Sequence, residues 1–383
     1  MRVAFHMPFK DPDDPRPSGD LVIGRGIADM LHDRGHEVRF VSRFRTRWIF
    51  WQPLRLARLP AARREALAAC AAFSPDVWLT YHAYWKAPDM LGPYCCAKLN
   101  LPYAVVQASY ATKYRKRLVS WPGFMLNRAA LLAADMVVAN KRRDFENLSR
   151  LLPPERLVYT PVGLDAAAFV RDESARARLR AEWDIPADAP VVLTAAMFRH
   201  GVKTEGILLT IKACRRLFEQ GLDFRLLIVG DGPERSRIET ALDQLPSGRA
   251  RLLGLMPRDR MAEMYSSADV FAFPGLEEAL GMVFLEAQAC GLPVAAMNGW
   301  GVPEAVADGE TGLLSPVGDV STFAENIARL VTDEALRSRM GEAGAARVRE
   351  RFDRSVAAER IEAALVAAVA ANKVTQGNER TAA

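Results

Sequence analysis

Residues 269–310 read DVFAFPGLEEALGMVFLEAQACGLPVAAMNGWGVPEAVADGE. Twice in this stretch an apolar run gives way to a glycine-punctuated turn and then to a helical pattern. Asp269–Phe273 is short and apolar after its first residue, as a strand buried on both faces must be. It stops at Pro274-Gly275, turns through Glu277 and Glu278, and leads into a helix opening near Gly281. Pro293–Ala296 repeats the move, ending in Asn298-Gly299-Trp300-Gly301 ahead of Glu304. Strand, turn, helix and strand make the unit of a parallel sheet, and in such open sheets ligands bind beyond the carboxyl ends of the strands.

The residue types at those ends suit an anion. The backbone N–H groups of Gly281, Met282 and Val283 start a helix with no acidic cap, so they can point at a phosphate, and Gly281 lets a ligand approach the backbone. Glu278 lies in the turn and Glu286 in the helix. The rise from Gly281 to Glu286 is about 7–8 Å at 1.5 Å per residue, room for a diphosphate between a carboxylate on a sugar and one on a ribose. A lone helical glutamate is ordinarily solvated; Glu286 stands among Met282–Leu285 and Ala287, which argues for burial. Arg199 and Lys203, four apart beyond the apolar run Val191–Ala196, could both reach one anion or form a solvated loop pair.

The same alternation extends along the chain. Arg2–Met7, Glu37–Ser42, Asp76–Thr80, Tyr103–Gln107, Asp135–Ala139 and Leu157–Thr160 read as buried strands, with helices such as Leu21–Arg34 and Gly123–Ala134 between them. Val191–Ala196, Phe224–Val229, Asp269–Phe273 and Pro293–Ala296 continue the series, with helices near 205–220, 233–244, 281–290 and 321–331. The expectation is an α/β protein of two Rossmann-like domains facing across a cleft. Domain boundaries are expected at 1–165 and 166–352, joined at Pro161-Val162-Gly163-Leu164-Asp165. An Ala-rich helix (353–372) and a frayed polar tail (373–383) would follow.

Composition excludes several classes. With 383 residues, 50% apolar and 25% charged, the chain has the content of a globular protein. The start is too briefly apolar for a signal peptide, and 18 consecutive apolar residues occur nowhere. Five scattered cysteines lack metal spacing and suggest reduced thiols of a cytoplasmic protein without a structural metal. The net charge of +5 hides an asymmetry: residues 1–150 hold 24 Lys/Arg and 13 Asp/Glu, leaving 27 and 33 to the rest. Between Glu37 and Glu65 lie eight arginines, no acid, and Phe44, Trp48, Phe50 and Trp51. Asp89 to Asp135 is again free of acids and carries Lys113-Tyr114-Arg115-Lys116-Arg117 near Trp121. Cations interleaved with aromatics suit anionic lipid headgroups or a polyanionic acceptor. No RRM, KH, helix-turn-helix or zinc pattern supports nucleic acid.

The window 269–310 resembles the C-terminal half of a retaining GT-B glycosyltransferase of family 4, whose E-x7-E signature appears as Glu278…Glu286. Leu226–Pro233, with Gly230 and Gly232, is similar to that family's strand and GDGP turn beside the nucleotide base. Leu253–Pro257, with Leu255, is similar to its second base-contacting loop. Ala195–Lys203 corresponds to the stretch in which the family places an Arg and a Lys on the donor diphosphate. Pro17-Ser18-Gly19-Asp20 and the helix ending Arg34-Gly35-His36-Glu37-Val38 resemble its N-terminal glycine loop and helix. The resemblance covers residues 1 to about 370 and is most specific over 190–310.

The departures are Ser18 where many members have a second glycine, Pro-Val-Gly-Leu-Asp at 161–165 for the commoner Pro-Asn-Gly-Val-Asp, and no histidine after Tyr103–Gln107. The resemblance implies a hexosyltransferase-type enzyme that moves a sugar from a nucleotide-diphosphate sugar to a cell-envelope glycan or lipid-linked acceptor. Anomeric configuration would be retained, and no cofactor or metal would be required. Glu278, Arg199 and Lys203 would be catalytic. Gly19, Gly230, Gly232, Leu255, Gly281, Met282, Val283, Glu286 and Glu304 would bind the donor, with His82 and Ser109 on the acceptor side. The expected place is the cytoplasm, at the inner face of the membrane if the basic half touches lipid. An epimerase of the same fold and a non-catalytic nucleotide-sugar-binding protein are the alternatives. A NAD-dependent dehydrogenase lacks support, since no G-x-G-x-x-G follows the first strand.

Overall fold

The computed structural model describes the backbone of residues 1–15 and 19–381, and within that span all side chains except those of 20, 22 and 373–381. The chain divides into two compact units: Met1–Val162 with the C-terminal segment from Ser355, and Gly163–Arg354. Each holds one six-stranded sheet.

In the first unit the strands are β1 (Arg2–His6), β2 (Glu37–Ser42), β3 (Val77–Tyr81), β4 (Tyr103–Val106), β5 (Met136–Ala139) and β6 (Leu157–Tyr159), in the order β2-β1-β3-β4-β5-β6. Every pairing is parallel. β3, β4 and β5 are buried at every position because helices cover both faces, which is why they read as unbroken apolar runs. The long helix from Arg354 returns to this unit. Ile361, Ala364, Leu365 and Ala368 enter the core of Val3, Phe5 and Leu31. Glu362 fastens it to Arg34 at 2.5 Å and His36 at 2.9 Å, and His36 also meets the N-terminal ammonium. The helix continues to Thr381, through most of the polar stretch expected to fray; 382 and 383 lie outside the described residues.

In the second unit β7 (Val191–Ala195), β8 (Arg225–Val229), β9 (Ala250–Gly254), β10 (Val270–Ala272), β11 (Val294–Met297) and β12 (Gly312–Ser315) run in the order β12-β11-β10-β7-β8-β9. The chain winds from β7 out to β9, then returns to lay β10 on the other side of β7. That is the Rossmann order, with its switch point between β7 and β10. The two edge strands, β9 and β12, were not among the expected ones. β9 is half-exposed and carries Arg251, and β12 has four residues beginning with glycine. The helix Glu334–Arg351 also escapes a propensity reading, since Gly341 and Gly344 interrupt it. Both glycines are needed there: a Cβ on Gly341 would strike the Gly291 carbonyl, and one on Gly344 would crowd Gln288.

The chain passes between units at Val162–Gly163 and Arg354–Ser355. The N–H of Leu164 donates to Phe352 at 2.7 Å and that of Arg354 donates to Leu164 at 2.8 Å, so the two strands of chain are paired where they cross.

Candidate functional site

The β7–β10 switch point brings together two loops far apart in sequence. The loop after β7 carries Arg199 and leads to the helix Val202–Glu219; the loop after β10 carries Glu277 and Glu278. Across the gap the Lys203 ammonium donates to Glu278 Oε1. The ammonium also lies 5.7 Å from the centre of the Phe273 ring. Burial, and secondarily Arg199, pulls Lys203 below its ordinary value, so an added anion would favour its charged form. Arg199 is exposed, and its side chain makes no hydrogen bond or ion pair among the described residues. Its carbonyl accepts from Thr204 Oγ1 at 2.7 Å, which fixes the loop to the first turn of the helix.

The turn between β10 and the helix Met282–Ala289 is built around Phe284. Gly275 and Gly281 are left-handed, at φ 74° and 80°, and a Cβ on either would meet the Phe284 ring. Glu277 is left-handed as well, at φ 55°, a costly conformation for a residue with a side chain. His82, Gln107 and Trp300 share that conformation, each just beyond the carboxyl end of a strand, the edge where this fold binds ligands. No side chain caps the helix at Gly281, so the Met282 and Val283 amides stand at an open start.

Glu286 is buried and not a solvated helix residue. Its Oε2 accepts from the hydroxyl of Tyr265 at 2.9 Å, and the exposed Arg258 guanidinium lies 3.7 Å from Oε1. Burial raises its carboxyl above the ordinary value, against the opposing pull of Tyr265 and Arg258. Neither partner was singled out from sequence. Tyr265 sits in an unremarkable helical run, and the one available cue for Arg258 was its position directly after Leu253–Pro257.

Three further glycines of the second unit, Gly230, Gly232 and Gly301, serve close packing. Gly230 and Gly232, at φ 148° and 153°, rest against the carbonyls of Ala196 and Phe198, and a Cβ would collide with each. Phe198 in turn donates to the Asp231 carbonyl at 2.9 Å, so the GDGP turn buttresses the loop bearing Arg199. Gly301 rests on the Ala279 carbonyl and donates to that of Glu278 at 2.9 Å. Leu255 stands exposed just beyond β9. Glu304 lies in the short helix Val302–Ala305, its carbonyl accepting from Arg347 at 3.0 Å.

The first unit treats its strand ends differently. Gly19 opens the helix Gly19–Asp33, while Pro17 and Ser18 lie outside the described residues. His82 stacks on Tyr84 with ring centres 4.7 Å apart and also meets Phe9 at 5.4 Å. Where the resemblance expects a histidine, Gln107 accepts from Asn140 Nδ2 at 2.6 Å. The Ser109 hydroxyl donates to Asp144 at 2.8 Å, and the Ser109 carbonyl accepts from Asn127, so its donor is already committed. Between β1 and β3 the polar groups are sealed in. Asp89 accepts from Thr80, Tyr103 and two backbone N–H groups at the start of the helix Gly92–Leu99, with fully buried His6 at 3.8 Å. Among the described residues no group of three His, Cys, Asp or Glu could hold a metal ion.

Known proteins resemble this chain in sequence and in fold. The family profile described as "Glycosyl transferases group 1" matches residues 175–347. A D-inositol 3-phosphate glycosyltransferase of Streptomyces bingchenggensis is 34% identical over 323 residues, covering 79% of this chain and 70% of that protein. An N-acetyl-alpha-D-glucosaminyl L-malate synthase of Bacillus anthracis is 26% identical over 366 residues, 88% of this chain and 91% of that protein. Several other curated relatives are matched over only 44% to 62% of their length. Among solved structures, Anabaena HepE in complex with UDP shares the fold at a TM-score of 0.73 and 19% identity, covering 96% of this chain and all of that one. Two doubly wound units, together with a relative 34% identical and matched over 70% of its length, carry one conclusion: the chain belongs to the group 1 glycosyl transferases and is a glycosyltransferase of GT-B fold.

Proposed function

We propose that the second unit binds a nucleotide-diphosphate sugar and that the chain transfers the sugar with retention, as family 4 enzymes do. The observation that carries this reading is the Lys203–Glu278 pair at the β7–β10 switch point, beside the open helix start at Gly281. A diphosphate lying over that helix start would draw Lys203 and Arg199, and Glu278 would be released to hydrogen-bond the sugar hydroxyls. Glu286, oriented by Tyr265, would accept from the ribose. UDP in the HepE complex supports a nucleotide donor in this fold.

In the reaction the acceptor oxygen bonds to the anomeric carbon as the bond from that carbon to the diphosphate oxygen breaks. The acceptor's proton passes to a phosphate oxygen of the departing nucleoside diphosphate. Negative charge therefore grows on the leaving group, where Arg199, Lys203 and the Met282 and Val283 amides stabilise it without a strong protein base. The first unit would hold the acceptor, a glycan or lipid-linked glycan of the cell envelope at the cytoplasmic face. Its excess of cations and the inositol 3-phosphate in one relative's name favour an acceptor with an anionic group.

The test is incubation with UDP-, GDP- and ADP-sugars and candidate acceptors, followed by NMR of the products. A glycosylated product with the donor's anomeric configuration supports the reading. An inverted product, an isomerised donor, or binding without turnover overturns it.

A further inference from the structure

The two acid-free stretches of the first unit, far apart in sequence, form one face. The indole N–H of Trp51 donates to the carbonyl of Val119 at 2.9 Å. Beneath it Trp48 meets Trp85 edge-on at 4.9 Å, and Trp85 stacks on Tyr114 at 4.7 Å. The Phe50 ring lies so close to Gly123 that a Cβ there would strike it. Trp48 is thus part of the scaffold, whereas Trp51 is not.

What stands out from this scaffold is apolar. Leu118 is 90% exposed, Leu54 84%, Val119 61%, Trp51 54% and Trp121 51%. Single exposed leucines need no explanation, but a cluster held on an aromatic support does. Around it stand Arg45, Arg55, Arg58, Arg115, Lys116 and Arg117, and none makes an ion pair among the described residues. Burial and the neighbouring charges of Arg45 and Arg58 lower Arg55 below its ordinary value, the mark of cations crowded without a counter-ion. A depression of about 420 Å³ opens between Arg115, Lys116, Trp121 and Arg128.

We propose that this face docks on a bilayer surface containing anionic phospholipid. Leu54, Leu118, Val119, Trp51 and Trp121 would enter the boundary between headgroups and acyl chains. The cations would lie among the phosphates, with one headgroup in the depression. A soluble polyanion would satisfy the arginines and leave the aliphatic side chains in water; a bilayer satisfies both. No helix among the described residues is long and apolar enough to cross a membrane, so this is contact from one side. The inference rests on the first unit alone and stands apart from the donor site.

Co-sedimentation of the full chain with vesicles tests it, comparing phosphatidylcholine alone with phosphatidylcholine plus phosphatidylglycerol, at low and physiological salt. The expected result is binding to the anionic vesicles only, weakened but not abolished by salt. Leu54→Glu with Leu118→Glu should weaken it about tenfold or more. Thermal unfolding and nucleotide binding should not change, since both side chains are exposed and belong to the other unit. Equal or absent binding to the two vesicle types overturns the proposal. So does a Leu54/Leu118 double variant that binds like the parent while Arg115→Ala, Lys116→Ala and Arg117→Ala together abolish binding. That outcome would mark a face for soluble polyanions.

Discussion

The two units use one architecture and handle charge in opposite ways. In the second, many arginines are committed to acids. Arg180, almost wholly buried, and Arg176 each bond Asp269 at 2.6 Å, while Asp269 also accepts from the Val191 amide at 2.8 Å. Arg178, Arg235, Arg237 and Arg249 have acidic partners as well. In the first unit the arginines of 45–58 and 115–117 have none among the described residues. The switch points differ in the same sense. Between β7 and β10 a charged pair stands where a ligand can reach it, whereas between β1 and β3 the corresponding polar groups are buried around Asp89, which accepts from Thr80 and Tyr103. Charge is largely paired in one unit and is displayed outward on one face of the other.

Three experiments break or sharpen that contrast. The largest effect is expected at Asp269. Replacing it with Ala leaves Arg180 buried without its carboxylate, a change that costs about 3–5 kcal/mol. Urea unfolding should show the loss in the second unit. Burial alone would raise the Asp269 carboxyl, yet Arg180 and Arg176 hold it below its ordinary 3.8. Its stabilisation is therefore complete above 3.8 and is lost as pH falls through the depressed value, so parent and variant should converge in acid.

A smaller effect is expected from Tyr265→Phe. Removing a hydrogen bond to a buried carboxylate costs about 1.5–3 kcal/mol, and it pushes Glu286 further above its ordinary 4.5. Donor KM should rise more than kcat falls. The acid limb of the pH–rate profile should also move to higher pH, a shift that loss of packing alone would not produce. The smallest effect closes the contrast. Arg115→Ala, Lys116→Ala and Arg117→Ala together should change folding stability by no more than about 0.5 kcal/mol, because no acidic partner among the described residues is left behind. A loss comparable to that at Asp269 would show that the basic face is structural after all.

Much of the second unit is legible in the sequence because its signals are local. Glu278, Gly281 and Glu286 fall within nine residues, and β10 and the following helix declare themselves by apolar runs around glycines. The pairing of Lys203 with Glu278 spans 75 positions and the hydrogen bond of Tyr265 to Glu286 spans 21; tertiary packing alone makes them neighbours. The edge strands β9 and β12 carry too little buried surface to stand out, and Gly341 and Gly344 mask a helix whose glycines are dictated by its neighbour. The acid-free stretches were visible as composition. That Trp48 is scaffold and Trp51 surface was not, since the distinction depends on which indole finds Trp85.

The most direct test of the account is the affinity and turnover of one nucleotide-sugar with the parent chain and with Lys203→Ala. The loss of a preorganised group facing the leaving diphosphate should lower kcat by about 10²- to 10³-fold and weaken binding of the free nucleoside diphosphate. Unchanged turnover and unchanged diphosphate affinity in the variant would contradict the central claim that the β7–β10 switch point is the donor site.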